Sequence, residues 1–247
     1  YLPRAAALCR QYGSLFIADE VQTGLGRTGK WWAVEHFGVE PDLLCMAKAL
    51  SGGFVPVGAV ACRPWIFDQV FNRMDRAVVH GSTFGKNNLA MAAGLATLDV
   101  MEREHLVDHG AAMGRQILAD LQPLVGQYEC LKQVRGLGMM IALEFGEPKS
   151  LSLKLAWKML ETANRGLFSQ IITVPLFTRH RILSQVAGYG MNVVKFIPPL
   201  ILTDSDRQWI VEAVNDVVAD AHRVPGAAWD FGKTLATQAV RSKAGAR

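Results

Sequence analysis

The 247-residue chain predicts an α/β fold built on a parallel sheet, and three observations carry that reading. Two short apolar runs, Leu15–Ala18 and Leu43–Ala47, are bounded by turn residues, as buried parallel strands are. Each run ends in a charged residue, Asp19 after the first and Lys48 after the second. Longer stretches with helical spacing, above all Asn87–Arg103, separate and follow such runs.

The elements follow in order. Residues 2–12 have helical spacing, with Leu8 and Cys9 on the apolar side, and Gly13 leads into the strand at Leu15. After Gln22 comes a glycine-rich loop with Gly24, Gly26 and Gly29. It is read as shaping the chain rather than binding phosphate, with Arg27 bracing it. Trp31, Trp32 and Phe37 read as core or interface aromatics. Strands are expected at Leu43–Met46, Gly58–Cys62 and Ala77–His80. A helix is expected over Trp65–Phe71, opened by Pro64. Asn87–Arg103 and His105–Val125 are two long helices meeting at a hinge near Glu104, with Pro123 close to the end of the second. Strand-like runs at Leu131–Arg135 and Met139–Phe145 are joined by Gly136-Leu137-Gly138. A helix over 150–165 is expected to be capped by Gly166. The apolar segment Leu167–Ala187 reads as a helix broken at Pro175, serving core packing before a channel wall or a subunit face. Thr203-Asp204 caps a helix over Asp206–His222, and Ala227–Val240 forms a tail helix.

Composition narrows the function classes. Net charge is +4 with Lys and Arg scattered, a solvated surface rather than a nucleic-acid face. No apolar run approaches the roughly 18 residues of a membrane-spanning helix. The start, Tyr1-Leu2-Pro3-Arg4, lacks the apolar core of a signal peptide, and the chain reads as a fragment or a truncated gene product. Cys9, Cys45, Cys62 and Cys130 form no CxxC pair. They read as free thiols in a reducing cytoplasm, with no metal site.

In open α/β sheets, ligands sit outside the carboxyl ends of the strands. Asp19 and Lys48 are therefore delivered toward one crevice. A lysine amine condenses with an aldehyde, and a carboxylate can hold a proton on a pyridine nitrogen; pyridoxal phosphate needs both. Taken alone, the two residues are better read as a buried ion pair at the sheet edge.

The wider pattern resembles the class III aminotransferases of the ornithine and ω-amino acid type, pyridoxal phosphate enzymes of fold type I. The matching blocks are Ile17-Ala18-Asp19-Glu20-Val21-Gln22-Thr23-Gly24, Gly26-Arg27-Thr28-Gly29, Pro41-Asp42 and Ala47-Lys48-Ala49-Leu50-Ser51-Gly52-Gly53. Pro56-Val57-Gly58-Ala59 and His80-Gly81-Ser82-Thr83-Phe84-Gly85 follow. The likeness runs to about Leu202 and is dense over Leu15–Ala90. It implies a transaminase with pyridoxal 5'-phosphate as cofactor. Lys48 would form the Schiff base and act as catalytic base, and Asp19 would pair with the pyridine nitrogen. Val21 would pack on the ring face and Gln22 would bond the ring's phenolic oxygen. Thr83, with Ser82 beside it, would contact the cofactor phosphate, typically in the neighbouring subunit of a homodimer.

The resemblance also divides the chain. Residues 1–104 would be the C-terminal part of the large mixed-sheet domain, 105–224 a small α+β domain, and 225–247 a helical tail. The family's Ser-Gly-x-Glu-Ala phosphate loop, its second ring-stacking aromatic and its N-terminal pocket segment have no counterpart here. Two departures stand out. Asn88 occupies the proline position of the family's Gly-Asn-Pro-Leu. Lys195, before Phe196-Ile197-Pro198-Pro199-Leu200, stands where many members carry an arginine that clamps a substrate carboxylate; lysine is not its equivalent. Partners would be small amines or amino acids and carbonyl compounds, with no nucleic acid and no membrane. The motifs hold a cofactor rather than dictate a reaction. An aminomutase, racemase or decarboxylase of the same fold, or an inactive assembly domain, fits them too.

Overall fold

The computed structural model describes residues 1–223, 225, 226, 229, 230 and 232–238. It divides into two compact units, Tyr1–Ala111 and Ala112–Arg247.

The first unit opens with helix α1 (Leu2–Gln11), whose buried position is Ala6. Leu8, expected on the apolar side, is exposed instead, and Ala6 takes its place beside Ala18, Val34 and Val39 in a small core. Strand β1 (Ile17–Asp19) pairs parallel to β2 (Leu43–Met46), which pairs antiparallel to β3 (Ala59–Cys62). Two of the three expected strands thus form a mixed sheet with β1. The third, Ala77–His80, does not form: a 3-10 turn at Met74–Arg76 leads into loop, and Val78 is fully in solvent. A β-prone run is a strand only where a neighbour accepts its backbone hydrogen bonds, and no strand among the described residues pairs with it.

Helix α2 (Pro64–Val70) starts on its proline, and α3 (Asn88–Arg103) starts on the Asn87 cap, whose Oδ1 accepts Ala90 N at 2.9 Å. Asn88 is the first helical residue, where proline's missing N–H costs nothing. The Asn-for-Pro exchange therefore leaves the helix entry intact. His105, at φ 51°, separates α3 from α4 (Leu106–Leu121). α4 stops short of the expected Val125 because Pro123 starts a separate short helix, α5 (Leu124–Gln127).

The second unit holds a four-stranded antiparallel sheet in the order β4-β5-β7-β6. The strands are β4 (Leu131–Leu137), β5 (Met140–Phe145), β6 (Gln185–Val186) and β7 (Val193–Phe196). Along β5, Ile141, Leu143 and Phe145 are buried and alternate with half-buried residues, as a one-sided sheet requires. The residues between β4 and β5 pass so near α4 that a Cβ on Gly114 would collide with the backbone of Gly138.

Helices α6 (Leu151–Ala163), α7 (Phe168–Thr178) and α8 (Asp204–Ala221) share one core with the buried sheet face. α6 ends at Ala163 with Asn164 as its cap. Gly166 is left-handed two residues further on, and its N–H reaches Glu161. α7 runs through Pro175 for another three residues instead of breaking there, and Phe168, Ile171, Ile172 and Leu176 are fully buried. Core packing is thus the role of α7, while Phe177 and Leu183 further along the segment are exposed. Phe168 stacks within 4.6 Å of Trp157 and 5.3 Å of Phe145. Trp229, from the described part of the expected tail helix, is buried and donates from Nε1 to Ala221 O at 2.9 Å. Residues 227, 228, 231 and 239–247 of that tail lie outside the described residues.

Candidate active site

β1 and β2 run in parallel with Asp19 in register with Cys45, so both strands finish at the same edge of the sheet. Asp19 ends β1, and Lys48 lies two residues past the end of β2. Both are exposed, so a buried ion pair does not explain them. Asp19 Oδ1 accepts Val21 N at 3.1 Å, which turns the chain sharply after the strand and sets Val21 and Gln22 beside the carboxylate.

Lys48 opens a one-turn 3-10 helix, Lys48–Ser51, with its backbone in the left-handed region at φ 50°. A non-glycine residue held there carries strain that the surroundings must offset. Those surroundings are specific. Ser51 is buried, its hydroxyl accepts Val55 N at 3.2 Å and donates to Val55 O, and Gly52 and Gly53 supply two further positive φ values. Helix α3 packs against the same turn, with Gly94 facing Leu50 O.

The segment that opens into α3 carries Ser82 and Thr83. They lie on an exposed turn closed by Gly85 N donating to Ser82 O at 3.0 Å, and Asn87 Nδ2 donates to Phe84 O. One helix therefore abuts the Lys48 turn and carries the Ser82–Thr83 turn at its entry. The structure brings Asp19, Val21, Gln22, Lys48, Ser82 and Thr83 into one unit. Lys195 belongs to the other, half-buried on β7 opposite Ala142 and Gln185, on the sheet face turned from the core.

Beyond the residues the sequence points to, Glu20 and Thr28 support the site. Glu20 is buried and bonds three segments at once. Thr28 is buried in the glycine-rich loop, where His36 Nε2 lies 3.0 Å from its carbonyl oxygen. Gly24 is dictated by space: a Cβ there would sit 2.6 Å from the Trp32 ring and 2.9 Å from Glu20 O. Arg27 is half-buried, and desolvation pulls its guanidinium below its ordinary pKa.

The geometry fits an aldehyde cofactor with a basic ring nitrogen. An amine and a carboxylate stand at one strand edge, and two hydroxyls stand on the exposed turn that opens α3. The model of the family "Aminotransferase class-III" matches residues 1–218. The chain belongs to the class III aminotransferases. Putrescine aminotransferase of Pectobacterium atrosepticum is 45% identical over 146 residues, 59% of this chain and 31% of that protein. Acetylornithine aminotransferase of Synechocystis is 36% identical over 220 residues, 89% of this chain and 45% of that protein. Among solved structures, a PLP-bound amine transaminase from an uncultivated Pseudomonas species superposes with a TM-score of 0.75. It is 34% identical over 89% of this chain and 47% of its own. Ornithine aminotransferase of Toxoplasma gondii gives 0.73 at 33% identity, over 89% and 46%. The expected α/β, fold-type-I class therefore stands. This class III chain spans 31% and 45% of the two curated relatives.

Proposed function

We propose that the protein is a pyridoxal 5'-phosphate-dependent aminotransferase, moving an amino group between an amine or amino acid donor and an aldehyde or keto acid. The observation that carries this is the delivery of Asp19 and Lys48 to one edge by adjacent parallel strands, with Lys48 held in a strained backbone. When bound, the cofactor supplies an aldehyde and an electron-withdrawing ring. Lys48 holds the cofactor through its amine and, once freed by the donor, moves the proton at the substrate carbon. Asp19 keeps a proton on the ring nitrogen. Val21 covers a ring face, Gln22 bonds the ring oxygen, and Ser82 and Thr83 bind the phosphate.

Residues 1–104 then act as part of the cofactor domain and 105–224 as a small α+β domain. A homodimer is supported by the apolar surface the first unit leaves open, including Ile17 on β1, Val60 on β3, and Phe54, Val78 and Leu95. A cytoplasmic setting is supported by four free thiols. Among the described residues no helix is long and apolar enough to cross a membrane.

For substrate, Lys195 favours an amine over a compact α-amino acid. Lysine offers a point charge where arginine would offer two fixed parallel donors. Of the two arginines that could clamp a carboxylate in its place, Arg179 is already engaged by Asp220 at 2.6 Å and Asp216 at 3.6 Å, which leaves Arg181 as the alternative clamp. The putrescine aminotransferase likeness points the same way. The test is a panel on full-length protein, diamines and alkyl aldehydes against ornithine-like amino acids and keto acids. Higher kcat/KM for the diamines supports the proposal. Amino acids preferred by orders of magnitude, with the preference lost in Lys195→Ala, would make Lys195 a carboxylate clamp and overturn the amine reading.

A further inference from the structure

We infer that Glu20 is a positioning residue: its buried carboxylate fixes the two-residue segment Val21–Gln22 from behind, and so sets how that segment meets the cofactor ring. The inference rests on the cofactor reading proposed above.

Successive side chains of a strand face opposite sides. Asp19 ends β1 exposed, Ala18 is buried, and Glu20 continues the alternation into the interior, only 3% exposed. Glu20 there adjoins the small core of Ala6, Ala18, Val34 and Val39 through Val34. Its Oε1 accepts Val34 N at 2.9 Å, at the start of the 3-10 turn Ala33–Phe37. Oε2 accepts the Thr23 hydroxyl. The backbone takes part too: Glu20 N donates to Cys45 O on β2 at 3.0 Å, and Gly24 N donates to Glu20 O at 2.9 Å. Val21 and Gln22 are therefore the span between two residues, Glu20 and Thr23, joined by the same carboxylate.

On the other side of the chain, Asp19 Oδ1 holds Val21 N. The segment is pinned at both faces, by one carboxylate that faces the site and one that does not. Trp32 closes against Gly24 and leaves no room for a side chain there, which keeps the turn tight. A buried carboxylate is costly unless its oxygens are bonded, and the bonds found here all run to the segment or to its supports. Packing alone would have been served by an apolar residue at that place.

The experiment compares wild-type full-length protein with Glu20→Gln, Glu20→Ala and Thr23→Val. It reads the Kd for pyridoxal 5'-phosphate, the circular dichroism of the bound cofactor, and amide hydrogen exchange of the cofactor-free protein. Thr23→Val removes one hydroxyl at a half-buried position. It should weaken cofactor binding by about tenfold, alter the cofactor's dichroism, and speed exchange at Val21–Gly24 while Val34 stays protected. Glu20→Ala should add loss of protection at Val34. Glu20→Gln keeps an oxygen for Val34 N and an amide opposite Thr23, and should recover most of the affinity. Wild-type Kd and dichroism in both Thr23→Val and Glu20→Ala would reduce Glu20 to a core hydrogen-bonding group and overturn the inference. A wild-type protein that takes up no pyridoxal 5'-phosphate would instead overturn the cofactor reading on which the inference stands.

Discussion

Asp19→Asn separates the charge of the site from its shape. Asp19 is exposed, and its Oδ1 accepts Val21 N at 3.1 Å. An asparagine side-chain oxygen accepts the same bond, so the turn that sets Val21 and Gln22 survives. Exposed substitutions away from caps and cores usually change stability by under about 0.5 kcal/mol, so thermal unfolding should barely move. What is lost is the charge opposite a protonated ring nitrogen. Once the cofactor covers it, that pair is sequestered, and breaking a sequestered ionic pair costs about 3–5 kcal/mol, roughly a few hundred- to a few thousand-fold in rate. Single-turnover kinetics with an amino donor, alongside cofactor content and the unfolding midpoint, read the three quantities separately. Expected are near-normal cofactor content, an unchanged midpoint and a rate down by that factor. Turnover within a few-fold of wild type would show that Asp19 serves the turn only.

Lys48→Ala in full-length protein should abolish borohydride-trapped cofactor; trapping that persists at another lysine would reassign the role. Cys130 is buried and desolvation pushes its thiol up to about 12, so it should be the last of the four cysteines to react with a thiol reagent in native protein. Prompt labelling of Cys130 ahead of Cys9, Cys45 and Cys62 would contradict its burial. The Thr203 hydroxyl, then its backbone amide, hold the Asp206 carboxyl below its ordinary value in the capping box of α8. A depressed folded-state pKa means stability that is present above the unfolded value and lost as pH falls through the folded one. The unfolding midpoint of Asp206→Asn should thus lie below wild type at neutral pH and converge with it well below about pH 4. A constant gap across that range would refute the assignment.

Much of the fold was legible because it follows local rules. Apolar runs bounded by glycine and proline gave β2 and β3 to within a residue, and Pro64 and Asn87 marked helix entries by the chemistry of their missing or capping groups. The failures share one cause, dependence on a distant neighbour. Ala77–His80 has strand composition and no strand beside it. Leu8 fits the helical stripe of α1, yet the small core it would face reaches only as far as Ala6. Pro175 should break a helix by its own chemistry, but α7 is sunk in the core, and packing on Phe168, Ile171, Ile172 and Leu176 outweighs the local cost.

The site divides along the same line. Asp19 and Lys48 were visible because strand ends and charges are adjacent in sequence, and the parallel pairing of β1 with β2 needed only the rule that such strands share a carboxyl edge. Glu20 stands in the same motif, and strand alternation alone separates it from Asp19. Two carboxylates one residue apart have opposite surroundings. One is exposed at the strand edge, and the other is buried and bonded to Val34 and Thr23. If both hold the Val21–Gln22 segment, removing either alone leaves one anchor, and the loss in Asp19→Ala/Glu20→Ala should differ from the sum of the single losses. Couplings of that kind are expected only between groups that share a partner. Strict additivity in cofactor affinity would mean that the two carboxylates act on the ring by separate routes.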